Sequence, residues 1–144
     1  LWHLLEKNRS RGHDLLAGNR LAWARLKHLI TYLEDHQHGQ VIVARNAENH
    51  VVSASLMATY QNRAMYLVGA YDPDIGQTGT MPWLIWEYVK LQKAKGITLL
   101  VFEGSMILGI SQFFRDFGAY PVAYTQLYRN QLPAIVSWIR ELRT

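Results

Sequence analysis

Two short stretches of this chain bring together residue types that do chemistry. The first is Asp72-Pro73-Asp74-Ile75-Gly76-Gln77-Thr78-Gly79-Thr80, a loop dense in turn formers that runs into a segment of helical spacing. The first amides of a helix have no intrahelical partner and lie at the positive end of its dipole. Gln77, Thr78, Gly79 and Thr80 are therefore placed to receive a phosphate. Gly76 and Gly79 are equally explained by a turn that needs positive φ, since two glycines are weaker evidence than a complete phosphate loop. The second stretch is Glu103-Gly104-Ser105, which ends an apolar run of strand length. A carboxylate and a hydroxyl there sit where open α/β sheets place their ligands. Glu103 is suited to take a proton from an amine, and Ser105 to contact substrate. The alternative is that Ser105 caps the next helix and Glu103 neutralises a helix end or an arginine.

Other candidates say less. Tyr120, Tyr124 and Tyr128 recur at i, i+4, i+8 in a β-rich run and share one face, either for packing or with Tyr120 or Tyr124 as a proton donor. Asp35, His36 and His38 include metal-ligating types, but they stand on a polar helix end where solvated side chains are the simpler reading, and no metal is expected. No Gly-x-Ser-x-Gly elbow is present, and there are 0 cysteines, so thiolate chemistry and disulfides are excluded and nucleophilic hydrolysis has no support.

The 144 residues fit one domain with a core of its own, and 49% hydrophobic against 18% charged residues is a globular balance. Fifteen Lys and Arg against 11 Asp and Glu leave a net charge of +4, with the basic residues scattered. A nucleic-acid surface needs a denser patch, whereas an anionic ligand is permitted. No apolar run approaches the ~20 residues of a membrane span and none reads as a signal peptide. A cytoplasmic location is the expectation. The chain opens on Leu1 and not Met, which reads as a piece excised from a longer protein.

These groups need elements to position them. A short helix within Leu1–Leu16 is followed from Asn19, a cap, by a helix with Ala22, Leu26, Leu29, Ile30 and Leu33 on one face. Val41–Ala44, Val51–Tyr60 and Ala64–Tyr71 have strand patterns and short connections, which predict an antiparallel meander. After the loop comes a helix with Thr80 as cap, Pro82 in its first turn, Leu84, Ile85, Tyr88 and Leu91 inward, and Gly96 as stop. Ile97–Phe102 reads as a central strand covered on both faces, parallel to the meander's third strand through a βαβ crossover. Ile107, Ile110, Phe113, Phe114 and Phe117 form a helical stripe ended by Gly118. Tyr120–Tyr128 follows as a strand and Pro133–Leu142 as a last helix. The fold class is α/β with a mixed sheet.

Leu99-Leu100-Val101-Phe102-Glu103-Gly104-Ser105, then Gln112-Phe113-Phe114-Arg115-Asp116-Phe117-Gly118-Ala119 and Tyr124, resemble the GNAT acyltransferase superfamily, and within it the Fem-like branch that includes peptidoglycan aminoacyl transferases. Those domains carry a strand ending in Asp-Phe-x-Gly-Ser, a helix with Phe-Lys-x-x-Phe-Gly, and a strand with Tyr. The similarity is strongest from Thr80 to Pro133. It implies one GNAT-like domain over residues 1–144 that lacks the fold's first strand, the second of a pair of such units in a longer chain. It also implies a sheet splayed between the strand ending at Tyr71 and the one beginning at Ile97. The pantetheine of an acyl-CoA would lie against Val68, Gly69, Ala70 and Tyr71, and its pyrophosphate would meet the amides of Gln77 to Thr80.

Three positions depart from the family pattern. The phosphate loop is reduced to Gly76-Gln77-Thr78-Gly79-Thr80, Val101 replaces the strand aspartate, and Phe114 stands where the family has its acid tyrosine or, in Fem-like sequences, a lysine. Phenylalanine neither donates a proton nor holds an anion, so neither mechanism transfers at that position. Two functions remain. One is an N-acyltransferase using acetyl-CoA or another acyl-CoA, or an aminoacyl-tRNA, toward a small-molecule or cell-wall-precursor amine. In it Glu103 is the base, Ser105 a substrate contact and Tyr124 a proton donor. The other is a non-catalytic module forming half of a larger Fem-like protein, with Trp83 and Trp86 on a docking face. No partner nucleic acid is expected beyond a tRNA donor.

Overall fold

The computed structural model describes residues 1–12, 19–104 and 107–125. Two helices come first, α1 (Trp2–Ser10) and α2 (Arg20–Asp35). Asn19 caps α2 as its spacing predicts, its side chain accepting the Ala22 N–H at 3.0 Å, a bond whose loss costs about 1 kcal/mol. The strands β1 (Gly39–Arg45), β2 (Val51–Tyr60) and β3 (Arg63–Tyr71) follow, then α3 (Thr80–Ala94), β4 (Leu99–Val101) and α4 (Leu108–Asp116). The described sheet has four strands in the order β1-β2-β3-β4, antiparallel except for the parallel pair β3–β4. The expected meander, βαβ crossover and mixed sheet are all present.

Helices cover both faces because β2 is apolar on both. Ala54 and Leu56 pack with Leu4 and Leu5 of α1 and Val68 and Ala70 of β3, closed over by Trp23, Leu26, Ile30 and Leu33 of α2. On the other face Met57 meets Ala64 and Tyr88 of α3, and Val52 meets Leu84. Burial of this kind contributes roughly 1.5–3 kcal/mol per large side chain.

Several sequence expectations change here. Gly79, with φ +92°, is the residue before the first turn of α3, and Thr80 is already helical, its hydroxyl donating to Gln77 O at 2.6 Å. Leu91 is 61% exposed and Leu29 41% exposed. Gln92 takes the inward place expected of Leu91, because i+4 from Tyr88 returns to the same helical face. The run Ile97–Phe102 contributes only three paired residues and has one neighbour among the described strands, which leaves Leu99 exposed. Residues 120–125 are not a strand, and Tyr120 and Tyr124 are exposed and not packed. The remainder of that expected strand, the last helix, and the end of the first segment lie outside the described residues.

Candidate functional site

The β3–β4 ladder is short for a reason that lies in β3. Leu56 pairs with Val68 but its neighbour Met57 pairs with Tyr66, so Leu67 is an extra residue in a β-bulge. A bulge bends its strand and ends regular pairing. The break is satisfied by a side chain, since buried Ser55 donates its hydroxyl to Val68 O at 3.0 Å. Parallel pairing with β4 runs over Arg63↔Leu99, Ala64↔Leu100 and Met65↔Val101 and then stops. Beyond that point Val68, Gly69, Ala70 and Tyr71 continue with no paired strand on the β4 side among the described residues. This is the splay, and it opens at the C-terminal ends of both strands.

The unpaired edge leads straight into the loop before α3. Gly76 is required by close approach and not by positive φ, because its N–H bonds Asp72 O at 2.8 Å and a Cβ would collide with that carbonyl. Gly79 does have the positive φ, and a Cβ there would meet nothing within 4 Å. Thr80 N–H bonds Gln77 O at 3.2 Å and Trp83 N–H bonds Gly79 O at 3.0 Å. The N–H groups of Gln77, Thr78, Gly79 and Met81 have no partner among the described residues, and Pro82 has none to offer. Donors without partners, open space above Gly79 and the helix dipole fit a pyrophosphate.

A buried acid anchors the start of this loop. Asp72 accepts from Lys7 Nζ at 2.6 Å and from the Asp74 N–H at 2.9 Å, while Lys7 also reaches Asp74 at 2.9 Å. Arg11 Nη2 donates to Asp74 at 2.6 Å. Burial pushes the Asp72 carboxyl up, but Lys7 and the backbone N–H groups of Asp74 and Ile75 outweigh it and leave it below the usual range. Arg11, with Lys7, holds Asp74 at about 2. Each ammonium or guanidinium is raised in turn by its carboxylate partners. This clamp ties the C-terminal end of α1 to the loop. Sequence reasoning missed it; the available signal was the i, i+4 spacing of Lys7 and Arg11 on one helical face.

Glu103 lies two residues past the end of β4, exposed, with φ +58°, and Gly104 follows at φ +77°. Its carboxylate has no ion pair or hydrogen bond among the described residues, so the alternative of a partner arginine finds no counterpart here. A non-glycine residue in this region stores strain, a cost that gathers at functional sites. Ser105 lies outside the described residues. Tyr124 sits in the irregular segment after α4, 86% exposed, and makes no hydrogen bond or ring contact among the described residues. No group of three or more His, Asp and Glu side chains among the described residues could hold a metal ion, and Asp35, His36 and His38 are exposed.

Phe114 is buried on the α3 face of the splay. Its ring stacks on Phe102 at 4.5 Å and meets the edge of Tyr66 at 6.1 Å, with Ile85 beneath. Tyr66 is the residue sequence reasoning passed over. Its ring runs along β3 so that its hydroxyl lies over Gly69, where a Cβ would overlap it and come within 2.9 Å of Cζ and 3.1 Å of Met81 Cε. Burial pushes its pKa up to about 12, and its hydroxyl has no hydrogen-bond partner among the described residues. No periodicity marks Tyr66, because only the bulge at Leu67 puts it on the same face as Gly69. Trp83 and Trp86 are exposed and line a groove of about 620 Å³ with Phe113 and Phe117.

The comparisons with known proteins agree with this fold. A family model described as the acetyltransferase (GNAT) domain matches residues 1–115. Among solved structures, a protein from Pyrococcus furiosus assigned as an acetyl transferase superposes with a TM-score of 0.69 at 12% identity, over 90% of this chain and 93% of that one. The aminoglycoside acetyltransferase AAC(6')-Iy, in complex with a bisubstrate analogue of CoA and acetylneamine, gives 0.58 at 18% identity over 89% and 92%. The aminoglycoside 6'-N-acetyltransferase AAC(6')-IG from Acinetobacter haemolyticus gives 0.59 at 13% identity over 81% and 85%. At these identities the structures share the fold. No curated protein matches the sequence.

Proposed function

The chain belongs to the GNAT acetyltransferase domain family, and from that premise we propose that it is an N-acyltransferase that moves an acyl group from acyl-CoA to a small-molecule amine. One observation carries the proposal: the bulge at Leu67 frees the β3 edge from Val68 to Tyr71, and that edge ends in a loop in which the N–H groups of Gln77, Thr78 and Gly79 have no partner among the described residues. An extended pantetheine arm would pair with the edge as a strand does, and Gln77, Thr78, Gly79 and Thr80 would hold the pyrophosphate. When bound, acyl-CoA supplies an activated thioester. The protein's part is to orient it and to take the amine's proton, for which the exposed carboxylate of Glu103, unpaired among the described residues, is the candidate. Ser105 and Tyr124 complete the proposed set as substrate contact and proton donor. Aminoglycosides, acceptors named by the AAC(6') relatives, are the first acceptor class to offer.

A specific feature supports a second reading, the non-catalytic module: the place where the family carries an acidic hydroxyl is filled by buried Phe114. Calorimetric titration of acetyl-CoA and free CoA separates the two. The proposal expects saturable binding by the wild-type chain that is lost in Gly79→Trp, whose side chain would cover the open loop. No heat at millimolar ligand would overturn it and leave the module. The proposal does not extend to an aminoacyl-tRNA donor or to a Fem-like role, for which no residue arrangement described above speaks.

A further inference from the structure

The Tyr66 hydroxyl, without a hydrogen-bond partner among the described residues, lies over Gly69, the one position of β3 that has no side chain. Three features hold it there. The bulge at Leu67 puts Tyr66 and Gly69 on the same face, so the ring lies along the strand and not across it. Phe102 and Phe114 flank the ring at 5.9 and 6.1 Å and leave it little freedom to turn. Met81 in the first turn of α3 closes the far side. The hydroxyl has no hydrogen-bond partner among the described residues, and it is not one of the fully buried polar atoms left without one, so it is open to a partner from outside the protein. Gly69 also lies within the stretch of β3 edge proposed to carry the pantetheine arm, so a carbonyl delivered along that edge would supply the missing acceptor.

We propose that the Tyr66 hydroxyl is the hydrogen-bond donor to the acyl carbonyl oxygen, stabilising the negative charge that develops there during transfer. This rests on the acyl-CoA reading of the site. The electron count is simple. As the amine nitrogen bonds the acyl carbon, the carbonyl π pair moves onto oxygen, which accepts the hydrogen bond from the Tyr66 O–H. As that pair returns, the C–S bond breaks and its electrons leave on sulfur. The amine's proton passes to Glu103 or water, and the thiolate takes a proton from solvent.

The role is that of a donor and not of an acid. A phenol held at about 12 stays protonated at neutral pH, and it is too weak an acid to hand its proton to a thiolate, whose conjugate thiol is the stronger acid. It keeps that proton while strengthening its hydrogen bond as charge appears, as the donors of an oxyanion hole do. The same reasoning gives the burial of Phe114 a purpose, since its ring supports the ring that carries the donor.

The test uses acetyl-CoA labelled with ¹³C at the acetyl carbonyl, and free CoA, on the wild-type chain and Tyr66→Phe. Circular dichroism and thermal melting first establish that the variant is folded. The hydrogen bond exists with acetyl-CoA and not with CoA. The variant should therefore lose about 2- to 12-fold in acetyl-CoA affinity while its CoA affinity stays the same. In the infrared, the labelled carbonyl band should lie at lower wavenumber on the wild type than on the variant. Equal affinities and an unmoved band in Tyr66→Phe overturn the inference and leave the acyl-CoA reading standing. Equal losses for both ligands assign Tyr66 a packing role only, which also overturns it. A wild-type chain that binds neither ligand overturns the acyl-CoA reading itself, and the inference with it.

Discussion

Gly69→Ala tests the geometry on which the splay depends. The Cβ would overlap the Tyr66 hydroxyl, approach Cζ to 2.9 Å and touch Met81 Cε at 3.1 Å. Gly69 is not among the residues with positive φ, so the backbone accepts alanine and the cost is steric alone. Overpacking of this kind costs about 1–3 kcal/mol, and alanine recovers about 0.5–1 kcal/mol of the backbone entropy that glycine loses in a strand. The net expectation is a loss of about 1–2 kcal/mol, or roughly 3–7 °C in Tm for a domain of this size. Urea unfolding with an unchanged slope measures it. The decisive comparison is a cycle with Tyr66→Phe, which removes the overlapping oxygen but leaves the ring. In that background the cost of Gly69→Ala should fall by about half, a coupling of the size seen for residues in contact. Purely additive effects, or an alanine that stabilises in both backgrounds, would show that the hydroxyl does not lie over Gly69.

Two further expectations concern charge and strain. Glu103→Gly removes a left-handed strain of about 1–2 kcal/mol and adds about 0.5–1 kcal/mol of unfolded-chain entropy, so stability should hold or rise by up to about 1.5 kcal/mol. Acyl transfer should fall by about 10²–10⁴, and a variant with full turnover would remove Glu103 from the mechanism. The clamp predicts an acid limb. The Asp74 carboxyl is held at about 2 against about 3.9 in the unfolded chain. Its contribution is complete above pH ~4 and is lost as pH falls toward ~2. Asp74→Asn should flatten the stability profile across that window while leaving the neutral-pH fold intact, as followed by circular dichroism during acid titration.

Much of this architecture was legible in residue order. The switch from a 3.6-residue to a 2-residue period near Gly39, the turn cluster Asn46–Asn49 and the Gly-containing loop after Tyr71 mark where elements begin and end, because those signals are local. Thr80 and Leu91 were misplaced by one residue or one helical position. Periodicity sets a face to within a residue, but the partner packed against that face decides which neighbour is buried. The length of Ile97–Phe102 was overestimated for a different reason. An apolar run shows that a segment is suited to a sheet, not how many of its residues find a partner.

By itself, then, the sequence determined the order of elements, the mixed sheet, the glycine loop at a helix N-terminus and the absence of cysteine chemistry. These depend on spacing along the chain and on residue type. Tertiary structure alone decided the bulge at Leu67, the end of the β3–β4 ladder at Met65 and Val101, the clamp of Lys7 and Arg11 on Asp72 and Asp74, and the place of Tyr66 over Gly69. Each of these is a contact or a register, set by which segments lie side by side. A register shift of one residue exchanges the faces of a strand. That single extra residue in β3 separates a continuous sheet from one that opens beside the candidate site.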